Sequence, residues 1–178
     1  TSLGQAALVG ATAGHGFEMD DIHAEAHLHA GSLAVPVALA LADANPALSG
    51  RDVLTGIVAG YEAGLRVGLA ATGALFQRGH HFQGTAGIFV AAATAAHLLR
   101  LDAATARHAF GIAGSFGAGL MAAQEGAMSK RVHAGHAAQW GLTSALLAAR
   151  GMTGIAEVLE TPYGGFLYTL SGAPDVAR

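Results

Sequence analysis

Gly84-Thr85-Ala86-Gly87-Ile88-Phe89-Val90-Ala91-Ala92-Ala93-Thr94-Ala95-Ala96-His97-Leu98-Leu99-Arg100 decides the class of fold. Alanine and leucine are strong helix formers, and no proline interrupts the run. It is nearly uncharged, so a helix spanning it has no polar face to offer water and is expected to be buried on most sides. Such a helix needs other helices around it. The rest of the chain has the same Ala/Leu/Gly texture with few β-branched runs, which predicts an all-α, multi-helix bundle of six or seven helices. Small residues such as Ala145, Ala148 and Ala149 let helix axes approach closely.

Outward from this centre, Thr1 to Glu18 reads as a first helix, leaking out through Gly14 and Gly16. Ser32 to Ala44 reads as a second, with Ser32 as N-cap and Pro36 in its first turn. Asn45-Pro46 breaks it. Ser49 caps a helix running to about Thr72, with Asp52 in its first turn and Val53, Ile57, Tyr61 and Leu65 as its buried face. Asp102 caps another to about Phe116, and Val132 to Arg150 forms a further one, ended by Gly151. A short helix is expected from Thr153 to Glu160. Residues 1–178 read as a single helical domain that begins abruptly, as a piece of a longer chain would.

Composition narrows the function. Nine Lys+Arg against twelve Asp+Glu give a net charge of −3, which leaves no basic stripe for nucleic acid. The absence of cysteine excludes disulfides, thiol catalysis and Cys-ligated clusters from these residues. No run reaches the roughly 18–20 uninterrupted apolar residues of a membrane span; Glu62 and Arg66 interrupt the nearest one. No membrane partner and a cytoplasmic location are therefore expected. Only 12% of residues are charged, about half the ordinary share of roughly 25%. That leaves apolar surface for another domain or subunit.

Three polar islands interrupt the apolar bulk: 18–31, 77–85 and 129–136. Each lies beside an expected helix N-terminus, where free N–H groups and the helix dipole favour anions. Together they hold carboxylates, imidazoles, one lysine and two arginines. This inventory suits general acid–base work on a small polycarboxylate, with cations holding the carboxylates and His or Asp moving the proton. The spacing of His23, His27 and His29 beside Asp20 and Asp21 does not match a helical metal motif, so no metal is expected. His97 and His108 read as structural, Trp140 and Tyr61 as core, and His15 is open to either reading.

The order of these stretches resembles the MmgE/PrpD family, which includes 2-methylcitrate dehydratase and cis-aconitate decarboxylase. The matching segments are His15-Gly16-Phe17-Glu18-Met19-Asp20-Asp21-Ile22-His23, His29-Ala30-Gly31, Arg78-Gly79-His80-His81-Phe82-Gln83-Gly84-Thr85, Gly111-Ile112-Ala113-Gly114-Ser115 and Lys130-Arg131-Val132-His133-Ala134-Gly135. They are colinear and cover nearly the whole chain. The sequence departs from the family pattern at Glu18, usually Asp; Ile22, usually Thr; Ala30, usually Pro; and His80, usually aromatic.

The resemblance implies the helical domain of a two-domain enzyme whose α+β lid belongs to the same chain. It also implies a homodimer formed through the helical domain, and lyase chemistry on a small di- or tricarboxylate without a cofactor. Dehydration of a 2-methylcitrate-like substrate is the first expectation, with decarboxylation, epimerisation or a non-catalytic scaffold as alternatives. Carried over by position, Asp20, His29 and His81 are the catalytic candidates. Glu18, Lys130 and Arg131 are the substrate-binding candidates.

Overall fold

The computed structural model describes residues 2–177, so Thr1, the expected start of the first helix, lies outside them. The described residues form eight α-helices: α1 (Leu3–Gly14), α2 (Gly31–Ala44), α3 (Gly50–Ala71), α4 (Ala74–Gln77), α5 (Gly87–Leu98), α6 (Ala103–Ala113), α7 (Ser129–Ala148) and α8 (Phe166–Leu170). A 3-10 turn spans Met121–Gln124, and no strand forms among the described residues beyond isolated bridges. The fold is all-α. The helices beyond the expected six or seven include α4, of four residues, and α8, of five, too short to leave a periodic signature.

α5 is the axis of the bundle. Every residue from Gly87 to Ala96, and Leu98, is buried, and α2, α3, α6 and α7 pack around it. α1 covers α7 and α2. Local chemistry sets the helix starts. Ser2 and Gln5 close a capping box on α1, and Ser49 and Asp52 close one on α3. Asp102 accepts from the Thr105 N–H at 2.8 Å to cap α6.

Three sequence expectations change. α3 does not bury Val53, Ile57, Tyr61 and Leu65 as its core face; those four are half-buried. Its buried residues are Gly56, Gly60, Gly64, Val67, Gly68, Ala70 and Ala71. A Cβ on Gly64 would stand 2.1 Å from Val90 Cγ2, and one on Gly60 2.1 Å from Thr94 Oγ1, so α3 and α5 touch nearly backbone to backbone. This helix of 22 residues is also apolar and long enough to cross a membrane by length and composition alone. In this fold it packs on α5, and Glu62 and Arg66 pair on its exposed side.

Ser32 is not the N-cap of α2. The helix starts one residue earlier, and the carboxylate of Asp21, ten residues upstream, accepts from the Gly31 N–H at 3.0 Å. Ser32 Oγ instead donates to the His29 carbonyl at 2.8 Å. Pro36 consequently sits in the second turn, packed on Gly10.

The helix expected over 153–160 does not form; 152–155 is irregular and 156–160 makes turns. Gly154 runs against the backbone of α6, where an added Cβ would lie 2.5 Å from His108 O and from Ile112 N. Its N–H is taken by His108 Nδ1 at 3.3 Å. Tertiary contact overrides local helix propensity there.

Candidate active site

The three polar islands meet at one end of the bundle. The first is the loop between α1 and α2. Asp20 lies between two imidazoles: His15 Nδ1 is 2.9 Å from its Oδ2, and His29 Nδ1 is 3.4 Å from its Oδ1. The His15 and His29 rings stand edge to face, 4.8 Å between centroids. His15 is fully buried, and its Nε2 has no hydrogen-bond partner.

The second island, between α4 and α5, adds His81, whose ring centroid is 6.1 Å from that of His15. The buried side chain of Gln83 ties this island to the first. Its Oε1 accepts from the His29 N–H, and its Nε2 donates to the His29 carbonyl and to Ser32 Oγ.

The third island does not precede a helix. α7 begins at Ser129, so Lys130 and Arg131 stand in its first turn rather than ahead of it. Both cations bind Glu18. Lys130 Nζ pairs with Glu18 Oε1, and Arg131 reaches the same oxygen at 2.7 Å. Arg131 also lies 3.4 Å from the His15 carbonyl, which brings the cations to the imidazole cluster. Glu18 adopts φ +52°, a left-handed backbone uncommon for a side chain of its size.

The electrostatics follow from this packing. Hydrogen bonds from Lys130 and Arg131 hold the Glu18 carboxyl down at about 2, so it is ionised near neutrality. Burial pushes the Asp20 carboxyl upward, but its hydrogen bond to His15 and nearby charge outweigh that and leave it below the ordinary value. Burial lowers His15, and lowers His81 to about 3 with help from His133 and Lys130, so His81 rests neutral. His133 and His136 are lowered by burial as well.

His15, Asp20 and His29 each bring one donor atom within 4.8 Å of the others, a set that could hold a metal ion. The expectation of no metal considered His23 and His27 with His29, whereas the loop closes on His15. His23 Nδ1 accepts from the Ala26 N–H within its own turn, and His27 stacks on Phe82 at 5.0 Å. Asp20 Oδ2 is already engaged by His15, which suits a hydrogen-bonded dyad.

Two clefts open beside this cluster. One, about 760 Å3, is lined by Glu18, Lys130, Arg131 and Phe17. The other, about 630 Å3, is lined by Asp20, Asp21, Tyr61 and the apolar side of α2. Tyr61 packs half-buried against the core, as expected, and its hydroxyl also reaches this cleft, donating to Asp21 Oδ2 at 2.8 Å. His29 and His81 line neither cleft; His81 is buried, and the His29 side chain is partly exposed.

The family model of the MmgE/PrpD N-terminal domain matches residues 1–178. The chain belongs to the MmgE/PrpD family. Among curated MmgE/PrpD relatives, a cis-aconitate decarboxylase-like protein of Aspergillus oryzae is 43% identical over 157 residues, covering 84% of this chain and 33% of its own. Cis-aconitate decarboxylase of Aspergillus terreus is 41% identical over 155 residues, covering 84% and 32%. The human cis-aconitate decarboxylase is 31% identical over 175 residues, covering 96% and 36%. The chain thus spans about a third of the length of these relatives.

Of the six candidates read from the sequence of this MmgE/PrpD domain, Asp20 and His29 are in mutual contact. Glu18, Lys130 and Arg131 form one ion-paired group, and His81 joins through His15. The sequence reading gave no role to His15, Gln83 or His133. His15 sits at the end of a helical pattern, and Gln83 carries no charge to mark it. His133 follows Lys130 by three residues and shares its helix face, a spacing that could have flagged it.

Proposed function

We propose that the full-length protein is a carboxy-lyase that releases CO2 from a small unsaturated tricarboxylate of the cis-aconitate type, with this domain supplying the acid–base groups. The carrying observation is the placement of Asp20 between His15 and His29, with His81 alongside and two cations within reach of one carboxylate. The decarboxylase names of the relatives favour loss of CO2 over the loss of water first expected from the resemblance.

The chemistry matches the inventory. As CO2 leaves, its C–C bonding pair forms a new C=C, and the old alkene pair takes a proton at the far carbon. One proton is consumed per turnover. Asp20 lies 3.4 Å from Nδ1 of His29, so Nε2 of that ring is left to hold the substrate, and neutral His81 is the group that hands over the proton. Lys130 and Arg131, now occupied by Glu18, supply the cationic seat that a substrate carboxylate would take. No cofactor is required by this scheme.

The test is to supply full-length protein with cis-aconitate and, separately, 2-methylcitrate, measuring CO2 and alkene absorbance together. CO2 evolution from cis-aconitate is the expected result. Rising alkene absorbance from 2-methylcitrate, with no CO2 from cis-aconitate, would overturn it in favour of dehydration.

A further inference from the structure

His81 Nδ1 lies 2.9 Å from Nδ1 of His133, on α7. A hydrogen bond between two imidazole nitrogens needs a proton on one and a lone pair on the other, so the pair is a ready path for proton transfer. The surroundings enforce it. The His81 backbone N–H donates to the Gly119 carbonyl at 3.0 Å. Gly119 in turn packs against the His133 ring, where an added Cβ would lie 3.1 Å from Nδ1. Gly84 lies against His133 Cβ. His81 is 9% exposed, whereas His133 lines a separate open cleft of about 580 Å3 with Leu120, Val132 and His136.

We propose that His133 is the relay that carries protons between buried His81 and the solvent of this third cleft. The inference rests on the reading of His81 as a proton-moving residue. A neutral imidazole gives up its Nε2 proton without becoming an anion only if another proton reaches Nδ1 at the same time. His133 is placed to deliver that proton. In the step, the His133 Nδ1–H and His81 Nε2–H bonds break, and the His81 Nδ1–H bond and the new C–H bond of the product form. His133, neutral at rest, takes a proton at Nε2 from water in the cleft as its Nδ1 proton leaves, and regains its first tautomer by exchange with that water afterwards. His81 returns to its first tautomer by exchange with water as product leaves. His133 touches no substrate and acts through His81. The titratable or charged groups facing the pair are His15, His29, Lys130 and His136.

The experiment uses full-length enzyme and cis-aconitate, with His133→Asn, His133→Ala and His81→Gln. Asparagine can keep a hydrogen bond to His81 but cannot relay a proton, so it separates transport from orientation. The relay predicts that both His133 variants lose about tenfold or more in kcat with KM nearly unchanged, a split marking an interaction used only in the reacting state. It also predicts that added imidazole restores part of kcat in His133→Ala. Full kcat in His133→Asn, in an enzyme that His81→Gln inactivates, overturns the relay alone. A His81→Gln enzyme as fast as the parent overturns the reading of His81 and the relay with it.

Discussion

Gln83 grips His29 by both backbone groups, accepting its N–H at 3.1 Å and meeting its carbonyl at 3.0 Å across 54 residues of sequence. This is how two loops of different origin hold one imidazole in place. Gln83→Leu fills the same space but leaves the His29 N–H and Ser32 Oγ short of a partner. Each buried polar group left unsatisfied costs about 1–3 kcal/mol. The expected outcome is a loss of about 2–4 kcal/mol in unfolding free energy, with turnover falling further than stability explains. Urea unfolding and steady-state kinetics on the same preparation check both.

Lys130 is expected to seat a substrate carboxylate once Glu18 is displaced. Lys130→Met keeps the aliphatic stem and removes the charge. A desolvated charge contact is worth about 2–5 kcal/mol, so kcat/KM of the full-length enzyme should fall about 100-fold or more. Parental efficiency in the variant would make Lys130 no more than the partner of Glu18.

The glycine face of α3 gives a stability prediction with a sign to decide. Gly64→Ala gains about 1 kcal/mol of helix propensity. It also drives a Cβ to 2.1 Å from Val90 Cγ2 and 3.0 Å from Val90 Cα, and overpacking costs about 1–3 kcal/mol. The clash should win, lowering Tm. Gly50→Ala has nothing within 4 Å of its Cβ and should leave Tm level or slightly raised.

His81, held at about 3 against an ordinary 6.5, makes the fold acid-sensitive. The unfolded chain binds its proton first, so below pH 6.5 stability falls with pH until His81 itself titrates near 3. Glu18, held at about 2 against an ordinary 4.5, adds its own loss only below about pH 4.5, where the unfolded chain takes up that proton first, and so leaves the range from pH 7 to pH 5 to the histidines. The drop in Tm between about pH 7 and pH 5 should therefore be smaller in His81→Gln than in the parent. Equal drops would place the acid sensitivity elsewhere, with His15, His133 or His136.

The helical class was legible because Ile88 to Ala96 is uncharged on every side and almost wholly apolar, which a central helix satisfies. The buried face of α3 was not, because hydrophobic periodicity marks side chains whereas this contact is made by Gly56, Gly60 and Gly64, which have none. Asp20 and His29 were two of several titratable residues in a polar island, and the family resemblance singled them out. His15 did not, since only the fold returns the end of α1 to the loop that follows it. The capping of Gly31 by Asp21 was hidden for the same reason, a loop contact at a sequence distance that no local cap rule covers.

The central claim is that the cluster around Asp20, His29 and His81 delivers a proton to a decarboxylating polycarboxylate. The most direct measurement runs full-length enzyme on cis-aconitate in D2O, with CO2 and deuterium in the product counted together. One deuterium per CO2, at the carbon that was the alkene CH, is predicted. His81→Gln should lower both counts together by about 10²–10⁴-fold, the usual worth of a general acid–base group. A His81→Gln enzyme that releases CO2 and incorporates deuterium at the parental rate would contradict the account.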